Sequence, residues 1–191
     1  MSMSLTIPEI ETKLDALIIG AHTEVESIDL FAPLPPKEEC PICLQPFPFL
    51  ESEVTFMCCC GKVICGGCYF GSVKANIDNS KGECPFCRKP VPKREAHNRQ
   101  LKHHMQKDNP DAFIDMASIC IIDEVPQYRK IALEMYIRAA ELGKASIFVC
   151  IGRHYRDGLV VGEDRSKYRL CLEIAAKKGS IHGHRGLSNT E

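Results

Sequence analysis

The sequence predicts two folding units of different kinds: a small, cysteine-dense α+β module, followed by an all-α helical-repeat module. Three observations predict this. Nine of the twelve cysteines lie between Cys40 and Cys87. That stretch has Gly and Pro punctuation and little helical period. Beyond residue 110 the pattern turns helical, with alanines and short Gly-containing breaks.

The bulk numbers fit a folded chain. Of 191 residues, 45% are hydrophobic and 26% charged, which argues against disorder. A net charge of −1 gives no general pull toward nucleic acid or anionic membrane. No apolar run is long enough to span a bilayer. The N-terminus lacks the basic start and apolar stretch of a secretory signal. The expected location is therefore intracellular, cytoplasmic or nuclear. In such a reducing compartment, close C-x-x-C pairs point to metal rather than disulfides.

Residues 1–39 form the first segment. A short amphipathic helix is expected over 6–19: Thr6 and Glu9 make a capping box, and Ile7, Ile10, Leu14, Leu17 and Ile18 share a face. APLPPKEE then reads as a linker.

Residues 40–92 hold the chemistry. Three C-x-x-C pairs occur: Cys40 and Cys43, Cys65 and Cys68, Cys84 and Cys87. Such a pair lets two thiolates meet one ion, and a closed zinc site takes four ligands. Six thiolates leave two closed sites two ligands short, and the run CCC at 58–60 must supply them. Lys62, which follows in CGKVIC, has no lone pair to give while charged. If the run is extended, Cys58 and Cys60 point one way and Cys59 the other, so Cys58 and Cys60 are the expected ligands. The pattern is then C-x2-C-x14-C-x-C-x4-C-x2-C-x15-C-x2-C. Spacing leaves connectivity open between sequential and interleaved sites.

A segment of about fifty residues with few large apolar groups builds too small a core to fold unaided. A structural zinc contributes on the order of 10–16 kcal/mol of apparent binding free energy, which doubles as folding energy. Four thiolates on a zinc ion leave a formal charge of −2. Lys62, Lys81, Arg88 and Lys89 are close in sequence and offset it. Sites filled by four thiolates have no open position for Lewis-acid catalysis, so no catalytic residue is expected among them.

This constellation resembles the RING finger family in its all-cysteine form. The usual histidine of the second pair is replaced, with Lys62 standing at its place in the frame and Cys60 taking over as ligand. The resemblance implies the interleaved cross-brace: Cys40, Cys43, Cys65 and Cys68 on one zinc, Cys58, Cys60, Cys84 and Cys87 on the other. It also implies an activity. RING domains recruit a ubiquitin-conjugating enzyme charged with ubiquitin and hold the thioester in a reactive pose, with no covalent intermediate. The family's contact positions correspond to Ile42, Pro85 and, on the intervening helix, Ser72. An apolar residue is commoner at that last position, and Phe70 or Val73 is its expected substitute. Arg88 matches the family's bridging arginine, whose planar fork contacts both partners.

Residues 93–109 read as a basic linker helix. The stretch 88–107 is rich in Lys, Arg and His but has no interleaved aromatics, which weighs against RNA contact.

Residues 110–191 show a period. AAELG at 139–143 returns as AAKKG at 175–179, an offset of 36. Helices are expected near 111–121, 126–142, 145–156 and 164–178. The paired alanines allow close helix approach, and Gly143 and Gly179 suit the left-handed position that ends a helix. Together with IGRHYRDG at 151–158, this half resembles Sel-like repeats, relatives of tetratricopeptide repeats: about two, plus a partial third. Cys120, Cys150 and Cys171 fall on these helices as packing residues. The resemblance implies binding of a protein substrate or adaptor. The combined expectation is a RING-type ubiquitin ligase with two structural zinc ions. Its rivals are a non-catalytic scaffold and an RNA-associated regulator.

Overall fold

The computed structural model describes residues 5–29, 38–47, 54–75, 82–122 and 125–189. Lys81 and most of the APLPPKEE linker lie outside them. Eight helices and one two-stranded sheet are described. The chain divides into two compact units, residues 36–115 and residues 1–35 together with 116–191.

The first unit starts with a tight turn at Cys40–Leu44, then β1 (Val54–Met57) and β2 (Lys62–Cys65). The two strands pair antiparallel, with Thr55 opposite Ile64 and Met57 opposite Lys62. Helix α2 (Gly66–Ala75) follows directly, and a second tight turn covers Cys84–Arg88. The unit closes with α3 (Arg94–Met105) and the first residues of α4 (Pro110–Ile122).

The core beneath the sheet is small. Met57 and Ile64 are its buried apolar side chains, and sulfurs supply the rest: Cys40 and Cys84 are fully buried beside them, with Phe47 and Tyr69 packed at the edge. A cluster this thin cannot offset the ordering entropy of the loops around it.

The second unit is helical. Helix α1 (Ile7–Val25) runs longer than expected and buries Ile10, Leu14, Ile18, Ala21 and Val25 in steps of three and four. The stripe is rotated from the expected one, and Ile7 is left exposed. The Thr6 amide donates to the Glu9 carboxylate at 2.6 Å, as the capping box requires. Then come α5 (Pro126–Glu141), α6 (Phe148–Asp157), α7 (Arg165–Lys177) and α8 (Ile181–Ser188). Helix α1 packs on α5 and α7, tied by Lys167 to Asp15 at 2.5 Å and Lys178 to Glu24 at 2.8 Å.

Two helix ends are built alike. Gly143 has φ +89° and Gly179 φ +91°. After each, the chain reverses through the same bonds: Gly143 to Ala140 and Lys144 to Ala139, Gly179 to Ala176 and Ser180 to Ala175. Ala139, Ala140, Ala175 and Ala176 are all buried, as the close approach of neighbouring helices requires. Helices α7 and α8 approach closely at Gly183. A Cβ on Gly183 would sit 2.8 Å from the Leu172 carbonyl oxygen. Cys171 is buried in this core, whereas Cys120 and Cys150 are half-buried.

Candidate metal centre

Two turns of the same sequence carry the outer thiol pairs. ECPICLQP at 39–46 and ECPFCRKP at 83–90 share their Glu, Cys, Pro and final Pro positions. Each closes with one short bridge, Glu39 to Pro46 and Glu83 to Pro90. In each, the amide four residues after the first cysteine donates back to that cysteine's carbonyl: Leu44 to Cys40 at 2.9 Å, Arg88 to Cys84 at 2.8 Å. Leu44 and Arg88 both take the left-handed conformation, at φ 56° and 59°. The turn leaves both thiols of a pair on one side and brings amides toward sulfur, as where the Cys87 amide approaches the Cys84 sulfur at 3.5 Å.

The sulfurs gather into two groups, and the groups interleave. Cys40, Cys43, Cys65 and Cys68 form one; Cys59, Cys60, Cys84 and Cys87 form the other. Within each group every pair of sulfurs lies within 4.8 Å. Approaches within the groups include 3.8 Å for Cys43 to Cys65, 3.9 Å for Cys60 to Cys84 and 3.5 Å for Cys59 to Cys87. A disulfide needs about 2.05 Å. A tetrahedron with metal–sulfur bonds of about 2.3 Å has sulfur–sulfur edges of about 3.8 Å. The spacing therefore suits four thiolates around one ion and excludes bonded pairs.

The expected ligand Cys58 is replaced by Cys59. The expectation took the triple run as extended, with alternating side chains. The run is instead a tight turn between β1 and β2: the Met57 carbonyl accepts from both the Cys60 and Gly61 amides, at 3.0 and 2.8 Å. In a coiled turn neighbouring side chains do not alternate, so Cys59 and Cys60 face the same group. Cys40, Cys43, Cys60, Cys65, Cys68, Cys84 and Cys87 stand in the expected groups.

The acid–base chemistry of the thiols fits a shared cation. Burial opposes ionisation of Cys40, yet the amides of Cys65, Cys43 and Ile42 together draw its pKa down to about 6. Cys68 is pushed up to about 12 by burial and by the neighbouring thiols of Cys65, Cys43 and Cys40. In the other group Cys59 is held far above the ordinary thiol range by burial and by Cys84 and Cys87. Four thiols in contact cannot all ionise alone; a dication lets every one of them lose its proton.

Cys58 does something else. Its sulfur lies 3.1 Å from His97 Nδ1 and 3.3 Å from Gln100 Oε1, and His97 Nε2 lies 3.1 Å from the Asp115 carboxylate. Burial and the Asp115 charge push its thiol up to about 11. The order thiol, imidazole, carboxylate matches a nucleophile relay, but Cys58 is only 4% exposed. The relay braces α3 against the turn. His104 reinforces it, hydrogen-bonded from Nε2 to the Cys58 carbonyl at 2.9 Å and meeting Phe56 edge-on at 5.6 Å. Gly61, at φ +71°, leaves room for this: a Cβ there would lie 2.7 Å from the His104 ring.

The basic stretch is thus part of the cysteine unit rather than a free linker. Its inward stripe is His97, Gln100, Leu101 and His104, spaced by three and four. The signal was in the sequence but is almost entirely polar, so a search for apolar periodicity passes it over.

The expected contact residues are on the surface. Ile42 and Phe86, equivalent positions of the two turns, are 39% and 45% exposed, and Arg88 is exposed. Pro85 is half-buried. The Ser72 hydroxyl turns back to donate to the Tyr69 carbonyl at 2.7 Å, while Phe70 and Val73 are exposed on the same helix. Lys62 Nζ stands 5.8 Å from the centre of the Phe86 ring, within cation–π range.

Comparison of the chain with protein-family models, curated proteins and solved structures finds no match. Among the described residues no helix is long and apolar enough to cross a membrane.

Proposed function

We propose that the cysteine unit is a RING-type module holding two structural zinc ions, and that the chain is a ubiquitin ligase. The interleaving of the two thiol groups carries this reading. Sequential sites would make two independent knots; interleaved ones fix both turns, the sheet and α2 as one rigid surface. Zinc, when bound, supplies cross-links in place of an apolar core and leaves no coordination position for a substrate. The chemistry is then positioning. Ile42, Phe86, Phe70 and Val73 offer apolar contact to a ubiquitin-conjugating enzyme, and Arg88 offers a guanidinium to ubiquitin and enzyme together. Fixing the thioester in one pose removes rotational freedom before attack by a substrate amine. The helical unit would bring the substrate or an adaptor.

The second reading is a zinc scaffold without ligase activity. The inward-turned Ser72 hydroxyl favours it, because α2 lacks an apolar side chain where the family most often has one. Self-ubiquitination with a panel of conjugating enzymes separates the two. The ligase reading predicts chains from the wild type and none from Ile42→Ala, with two zinc ions retained in both. No chains with any enzyme leaves the scaffold.

A further inference from the structure

The helical unit contains a cavity of about 190 Å³ with residues of α4, α5 and α6 on its walls. We propose that it receives the C-terminal residue of a partner protein, with an apolar side chain against Ile121 and Leu159 and the terminal carboxylate between Arg129 and Arg153. This rests on reading the helical unit as a protein-binding module and names the feature it would recognise.

Volume comes first. Cofactor and drug-sized ligands occupy roughly 300–1,000 Å³, so this cavity takes about one residue. The walls are mostly apolar: Ile121 and Leu159 are exposed at its edge, and Tyr136 lines it. Two guanidiniums, Arg129 and Arg153, add positive charge. The lining carboxylate, Asp157, is already held by Arg156 through bonds of 2.7 and 3.1 Å. The ion pairs seen among the described residues use neither Arg129 nor Arg153.

A second observation points to a ligand. His154 also lines the cavity, is only 8% exposed, and its Nδ1 has no hydrogen-bond partner. A buried polar atom of this kind is costly unless something meets it. Apolar walls, two guanidiniums outside those ion pairs and an unmet imidazole nitrogen within one residue's volume select for a residue carrying both an apolar side chain and a carboxylate. An internal Leu lacks the charge, and an internal Asp or Glu lacks the apolar bulk. A chain terminus supplies both, and guanidiniums suit a carboxylate's two oxygens.

The test uses the full zinc-loaded chain and three labelled hexapeptides: Gly-Ser-Gly-Ser-Gly-Leu as the free acid, the same peptide amidated, and an amidated peptide with Glu beside an internal Leu. Fluorescence anisotropy should show the free acid bound and both amides about ten-fold weaker or worse. Arg129→Ala and Arg153→Ala should each weaken the free acid, and Arg129→Lys should recover part of the loss. Circular dichroism and zinc content of the variants confirm folding. Equal binding of acid and amide, or no binding at millimolar peptide, overturns the proposal. So does full strength for the internal-Glu peptide. A protein partner bound equally by the Arg129→Ala/Arg153→Ala double variant overturns the pocket while leaving the adaptor reading intact.

Discussion

Cys58 and Cys59 are adjacent, yet one turn sends their sulfurs to different neighbours. Cys59 joins Cys60, Cys84 and Cys87, and Cys58 meets His97 and Gln100. The two substitutions should therefore behave differently. Cys59→Ser should reduce bound zinc from two ions to one, read by native mass spectrometry. Cys58→Ala should keep both ions and cost about 1–3 kcal/mol through the lost sulfur contact and the stranded His97 nitrogen. The reverse pattern would restore the expected ligand Cys58. Here lies the limit of legibility at this scale. Six of the eight thiols follow from the spacing of the C-x-x-C pairs, and Cys60 from the need for a further ligand in the triple run. The eighth depends on whether three residues are extended or coiled, and that is decided by one carbonyl, that of Met57, accepting two amides.

His154 gives a second prediction at the residue scale. Burial lowers its pKa to about 4, with Arg129 adding to the effect and Asp157 opposing it. Between pH 4 and 6.5 the unfolded chain takes up a proton that the folded chain refuses. Stability should then rise with pH across that window and level off above it. The shift bounds the contribution at about 3 kcal/mol. His154→Phe should flatten this part of the denaturation profile relative to wild type; an unchanged slope would mean that His154 is not buried neutral.

At the scale of elements, helix positions were legible where apolar period and Gly stops agree. The expected helices at 126–142 and 164–178 appear as Pro126–Glu141 and Arg165–Lys177. The helix α1 was underestimated because its stripe continues through Ala21 and Val25, past a glycine at 20 that merely faces open space. The face of α3 was missed because it is read by hydrogen bonds. The close approach of α7 and α8 is also testable. Gly183→Ala would force a methyl against the Leu172 carbonyl and should destabilise the helical unit by about 1–3 kcal/mol. Thermal unfolding should register this as a drop of several degrees, with zinc content unchanged. An unshifted melting point would show that the two helices are not in such contact.

In the whole molecule, a unit whose sheet and thiol turns have almost no apolar core of their own is joined to one with an ordinary core. Met57 and Ile64 cannot hold the sheet and turns by themselves. Chelation should therefore melt the cysteine unit and leave the helical one. With excess chelator, hydrogen exchange should accelerate in β1, β2 and α2, whereas α5, α6 and α7 keep their protection. Uniform loss across both units would mean that they fold as one.

The interleaved assignment is tested most directly by NMR of the protein loaded with a spin-half cadmium isotope. Each metal couples through sulfur to the Cβ protons of its own ligands. Two cadmium signals are predicted, one correlated with Cys40, Cys43, Cys65 and Cys68, the other with Cys59, Cys60, Cys84 and Cys87. A signal joining Cys40 and Cys43 to Cys59 and Cys60 would make the sites sequential and contradict the account.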